Sequence, residues 1–309
     1  MSRPVPASSS SPTTILARWP TANSQTAIAL LVRRLTGNGV NGTNSSRRAI
    51  QIRPFRLPNG SNNSGKLTGE KRKEGGRNLF VVRALSEREH MAVFVEDPTA
   101  PSRSAWKGKE KMAIDGEAPG ETIFEHTKPP HTRWSCCTLG GATQSSPLAT
   151  LFDAFLQRVL LGGGPSSNSP NVGAWIPRST AVSIEGWSCL FGATGGTAGD
   201  WEIKVGQVSI KGGAAGGTTR GILIEATYLP VPYLPVGSTF VKDYVTTLLP
   251  PQAITAGEIS WTSLDDERCF EAGLLEAPDP ETGYYKEWEW TESHSALAYV
   301  QMFQKEGLL

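Results

Sequence analysis

The chain has 309 residues, of which 30 are basic and 29 acidic, giving a formal net charge of +1. That length fits one or two domains, the near-neutral balance excludes a uniformly basic or acidic protein, and no apolar run reaches the ~18 residues of a membrane-spanning helix. The neutrality averages two opposites: the first 69 residues carry nine basic residues and no acid, leaving 21 basic and 29 acidic residues from Glu70 onward.

Residues 1–77 are dominated by Ser, Thr, Asn, Gly, Pro and Arg, with few large apolar side chains to offset the entropy of ordering, and are expected to form a disordered basic arm. Such an arm suits an organelle transit peptide, a non-specific nucleic-acid contact through Arg33, Arg34, Arg47 and Arg48, or a merely solvated tail. Gly60 to Lys66 has the spacing of a phosphate-binding loop, but Leu67 stands where the magnesium-ligating Ser or Thr belongs and no buried strand precedes it. It reads as a linker.

Residues 78–145 read as a linker with short irregular elements. Val93 and Val95 oppose Phe94 in a short strand or two around a helical Ser86–His90, and a polar connector follows Pro98. His126, His131, Cys136 and Cys137 are the local metal-ligand types, yet their spacing matches no zinc pattern, so neither a metal nor a cofactor is expected. Four cysteines in a chain this long form no disulfide framework, and a reduced state is the simplest reading.

Residues 146–162 predict an amphipathic helix. Ser146 suits its N-cap, Pro147 its first turn, and the run Gly162 to Pro165 its end. Leu148, Leu151, Phe152, Phe155, Leu156 and Val159 share one face, which would pack on the parent domain or join copies of the chain as an oligomerisation helix.

Residues 174–309 predict a β-sandwich domain. Ala181 to Leu190, Trp201 to Val205, Gly221 to Tyr228, Phe240 to Leu249, Ile259 to Thr262, Trp288 to Trp290 and Ser295 to Gln304 read as short strands separated by glycine, proline and serine, with a turn or bulge at Gly206-Gln207. Connections this short and glycine-rich exclude parallel α/β architecture here. The expected fold is thus mainly β, an antiparallel, jelly-roll-like β-sandwich preceded by one helix and the basic arm.

The order Ile176-Pro-Arg-Ser-Thr-Ala-Val-Ser-Ile-Glu-Gly-Trp187, Asp200-Trp-Glu-Ile-Lys-Val-Gly206, Ala253-Ile-Thr-Ala-Gly-Glu-Ile-Ser-Trp261 and a last strand ending at Phe303 resembles the jelly-roll modules of phage tail and fibre proteins. The resemblance implies a non-enzymatic virion structural or adhesion protein, partnered by other virion subunits as a homo-oligomer and by a cell-surface glycan receptor. A viral coat protein whose arm binds genome phosphates is one alternative. An organelle-targeted carbohydrate-binding or hydrolytic β-sandwich is another.

Aromatic residues concentrate in this last region. Strand alternation puts Trp288 and Trp290 on one face and Glu287 and Glu289 on the other, with inward packing of the indoles favoured by their apolar area. Tyr284 and Tyr285 follow the turn Pro278 to Gly283 and, with the two tryptophans, are the expected glycan contacts. The run Asp265-Asp266-Glu267 with Glu271 lacks the ligand alternation of a calcium loop. No nucleophile elbow or His-Glu-x-x-His motif occurs, and His294 between Ser293 and Ser295 reads as a strand-end residue, so no enzyme activity is expected.

Overall fold

A computed structural model describes residues 10–37, 43–57, 76–85, 88–105, 132–143, 175–192, 199–214, 216–279 and 281–309. The strands are β1 (Ser11–Pro12), β2 (Thr14–Trp19), β3 (Thr43–Leu57), β4 (Arg77–Leu85), β5 (Arg88–Glu96), β6 (Trp134–Thr143), β7 (Ile176–Pro177), β8 (Ala181–Phe191), β9 (Trp201–Lys211), β10 (Thr219–Tyr228), β11 (Tyr233–Leu234) and β12 (Ser260–Thr262). The helices are α1 (Ser24–Gly37), α2 (Phe240–Leu248), α3 (Pro251–Thr255), α4 (Asp266–Ala272) and α5 (Glu292–Lys305).

The protein is mainly β. Ten strands make one antiparallel sheet in the order β12-β2-β10-β9-β8-β3-β4-β5-β6, with β7 also paired to β3, while β1 and β11 form a separate two-stranded ribbon. The alternation visible in the sequence sets the two faces. Trp201, Ile203 and Val205 of β9 and Ile222, Ile224 and Ala226 of β10 join Leu31 and Leu35 of α1 and Val241, Val245 and Leu248 of α2 in one core. Leu16, Ile50, Ile52, Phe80, Phe94, Ile184, Val208 and Leu223 point the other way and pack against Leu297, Val300 and Phe303 of α5.

The sheet wraps around α5. At one end of this helix Glu306 pairs with Arg18 of β2 at 3.1 Å and Gln304 donates to Glu96 of β5 at 3.2 Å. Six strand spacings separate β2 from β5 along the ladder, about 29 Å if the sheet were flat, whereas a helix with its side chains is only about 10–12 Å across. Both contacts can form only if the two halves of the sheet curl towards one another. The sandwich-like arrangement is therefore two halves of one continuous sheet with a helix between them.

Several expectations are corrected. Residues 10–37 and 43–57 are not a free arm: β2 lies between β10 and β12, and β3 lies between β8 and β4 in the middle of the sheet. Their apolar positions, Leu16, Ile50 and Ile52, are spaced for a strand and are fully or nearly fully buried. The described parts of 78–145 supply β4, β5 and β6 where short irregular elements were expected, and β5 begins at Arg88, within the segment expected to be helical; residues 106–131 lie outside the described residues. Two expected strands are helices. Val241, Val245 and Leu248 recur at helical spacing in α2, and Thr291 and His294 form a capping box that starts α5. The predicted helix at 146–162, with Leu148, Leu151, Phe152, Phe155, Leu156 and Val159, lies outside the described residues, as do His126 and His131.

Candidate functional site

The inward face of the sheet carries a row of charge beside a row of hydrocarbon. Ser46, Ser188, Lys204, Glu225 and Leu16 lie directly opposite one another on β3, β8, β9, β10 and β2. The next row is Arg48, Gly186, Gly206, Leu223 and Arg18, and the one beyond contains Ile50, Ile184 and Val208. The two glycines make the charge row possible. A Cβ on Gly186 would sit 1.9 Å from the Val205 carbonyl oxygen, and one on Gly206 would sit 2.5 Å from Ile184 Cγ2. Without these side chains Arg48 can extend across β8 and β9 towards Glu225.

Glu225 is the centre of the cluster and is 1% exposed. Its Oε1 accepts from Lys204 Nζ at 2.9 Å and from Ser295 Oγ at 3.0 Å, and its Oε2 accepts a short hydrogen bond from the Tyr299 hydroxyl. Lys204 Nζ also reaches Glu292 Oε1 at 3.0 Å and Glu202 Oε2 at 3.3 Å, and Arg48 Nη2 donates to Glu292 Oε2 at 2.6 Å. Arg48 Nη1 lies 4.0 Å from Glu225 and faces a space of about 20 Å³, enough for one water molecule.

Burial opposes ionisation of Glu225, but the Lys204 and Arg48 charges and the Tyr299 hydrogen bond outweigh it and hold the carboxyl below its ordinary range. Burial likewise works against the charge on Lys204, and Glu225 and Glu292 reverse that effect and raise its pKa. Tyr299 is pushed up by burial and by the adjacent Glu225. The result is a set of fixed ions. A carboxylate held low is a weak base at neutral pH, a lysine held high is a poor nucleophile, and the arrangement suits orienting a ligand better than moving a proton.

A cavity of about 430 Å³ opens beside this cluster, at the ends of β9 and β10 and the start of α5. Lys204, Glu202, Glu292 and Ser295 contribute its polar wall, and Trp290 adds an indole whose Nε1 donates to Ser295 Oγ at 2.8 Å. Leu229, Val231 and Pro232 form an apolar side, Tyr228 borders it with its ring packed on Trp201 of the outer core and on Phe240, and Glu289 stands exposed beside them.

The arginines proposed for nucleic acid do not share a surface. Arg48 is buried in the ion cluster, and Arg34 donates to the Thr247 and Leu249 carbonyls at 3.2 and 2.6 Å, closing the C-terminus of α2. Arg33 and Arg47 are exposed, on α1 and β3 respectively. Of the four, Arg34 and Arg48 thus have structural partners, and Arg33 and Arg47 are exposed on different elements.

The aromatic candidates also divide. Tyr284 is exposed, whereas Tyr285 is buried with its ring 5.9 Å from that of Phe270. Trp288 and Trp290 lie in extended chain outside any strand ladder and pack partly buried on the inner core. Trp288 donates to Asp266 Oδ1 at 2.7 Å and stacks on His294 at 4.5 Å, so the pair is no open platform for a sugar. Asp265 caps α4 by accepting from the Arg268 amide, and Glu271 accepts the Arg103 and Ser104 amides at 2.9 and 2.8 Å. Among the described residues no group of three or more His, Cys, Asp or Glu side chains is placed to hold a metal. Cys136 and Cys137 are free thiols on β6.

Sequence reasoning missed Lys204, Glu225, Glu292, Ser295 and Tyr299. The available signal was Glu225 itself, a single acid inside Ile222-Leu-Ile-Glu-Ala226, opposite a single lysine between Ile203 and Val205. No protein-family model matches the chain, and no curated protein is significantly similar to it.

Proposed function

We propose that the protein is a small-molecule binding protein whose ligand occupies the cavity beside the Lys204–Glu225–Glu292 cluster. The observation that carries this reading is the juxtaposition, in one cavity of about 430 Å³, of an apolar wall with polar groups already locked in place by ion pairs. Ligand sites are commonly concave, mostly apolar and largely preformed, with a few oriented polar groups giving specificity. Binding rather than catalysis fits the fixed protonation states of Glu225 and Lys204.

Titration with the neutral dye Nile red, followed by its fluorescence, tests the reading. One equivalent is expected to bind, and Thr227→Trp, which fills the cavity from β10, is expected to abolish the signal with the fold intact by circular dichroism. Val231→Trp, at the exposed lip, is a second blocking variant. No dye binding, or binding that both variants leave unchanged, overturns the proposal. The expected virion structural or adhesion role draws support only from the mainly β architecture, which the cavity does not require.

A further inference from the structure

The charges around the cavity do not balance, and the imbalance specifies a ligand class. Arg48 and Lys204 are matched by Glu225 and Glu292, with contacts of 2.6 to 3.0 Å. Glu202 and Glu289 remain. Glu202 shares the already engaged Lys204 at 3.3 Å and accepts from Ser188 Oγ at 2.9 Å, so its negative charge has no cation of its own. Glu289 is exposed at the same opening. The N-terminal end of α5, which would attract an anion, already has Glu292 in its first turn.

Aromatic surface accompanies the excess acid. Trp290 lines the cavity, and an indole face attracts cations, while the neighbouring Leu229, Val231 and Pro232 suit hydrocarbon. Resting on the binding role above, we propose that the cavity selects an organic monocation, an amine or quaternary ammonium carried on an apolar body. The charged group sits between Glu202, Glu289 and Trp290, and the body lies along the Leu229–Pro232 lip.

Three probes with one apolar body test this by calorimetry at neutral pH: 1-naphthylmethylamine, 1-naphthylmethanol and 1-naphthoate. The amine is expected to bind about tenfold more tightly than the alcohol, as befits one partly solvated charge pair, and the naphthoate most weakly. Glu202→Gln and Glu289→Gln should each shrink the amine's advantage, as should added salt, and leave the alcohol unaffected. If the alcohol or naphthoate binds as well as the amine, or if the amine fails on protein that binds Nile red, the charge assignment is overturned and the binding role stands. If Nile red also fails, the binding role falls and takes this assignment with it.

Discussion

Two rows of side chains lie on one face of the sheet, on either side of the Gly186–Gly206 pair, and are built from opposite materials. Ile50, Ile184 and Val208 are hydrocarbon against hydrocarbon, whereas Ser188, Lys204 and Glu225 lie beyond the glycine pair as a buried ion network. Both are covered by α5. The apolar row stabilises the fold by leaving water, and its members are interchangeable within limits of volume. The charged row has a desolvation cost comparable to its Coulomb gain, so its stability contribution is small while its geometry is tightly specified. A fold that needed only cohesion would continue the first row, and the second marks where position matters more than cohesion.

The sharpest break in this contrast is Glu225→Ala, which leaves Lys204 and Arg48 buried without their shared acid and is expected to cost about 3–5 kcal/mol in urea unfolding. Replacing all three ions together, with Glu225→Leu, Lys204→Met and Arg48→Met, is expected to restore much of that stability.

Acid provides the next largest effect. Burial holds His294 down to about 4 from its ordinary 6.5, with Nδ1 accepting the Thr291 amide at 3.1 Å, so the folded state keeps the ring neutral where the unfolded chain would protonate it. Stability from this source is complete above pH 6.5 and is lost as pH falls towards 4, by about 3 kcal/mol at most. Urea midpoints between pH 7 and 4.5 should slope in the native protein and flatten in His294→Phe. Glu225, whose pKa is depressed in the fold, withdraws its contribution only below its ordinary value of 4.5, so the two windows are separable.

Within the apolar row the expected change is gentler: Ile184→Val removes one methylene and should cost about 0.5–1.5 kcal/mol in the same assay. The smallest effect contrasts neighbours. Arg47→Ala, at an exposed position, should stay within about 0.5 kcal/mol of the native protein, while Arg48→Ala, one residue along, breaks the ion cluster.

That pair of arginines also shows what the sequence can and cannot say. Alternation in Trp201 to Val205, Ala181 to Leu190 and Gly221 to Tyr228 identified β9, β8 and β10, because half-buried strands write their period directly into the chain. The same alternation puts Lys204 and Glu202 on the face opposite Ile203. Alternation cannot report that α5 covers this face and that Lys204 is buried there. The basic composition of residues 1–69 masked the strand periodicity of Leu16 and of Ile50 and Ile52, and short apolar runs at 240–248 and 295–304 left helix and strand unresolved by period alone. Glu225 became legible only when β9 placed a lysine opposite it.

The position of β3 has a consequence for biosynthesis. Ile50 of this strand pairs with Ile184, and Ala17 of β2 pairs with Ile224, so each is synthesised well before its partner. Loop closures this long delay the reward for ordering the first strands, so vectorial synthesis cannot complete the sheet piecemeal. β2 acquires both neighbours, β10 and β12, only after the intervening strands have been made, while β3 has β4 beside it and waits for β8, which makes folding a late, concerted event and the nascent chain a natural client of chaperones.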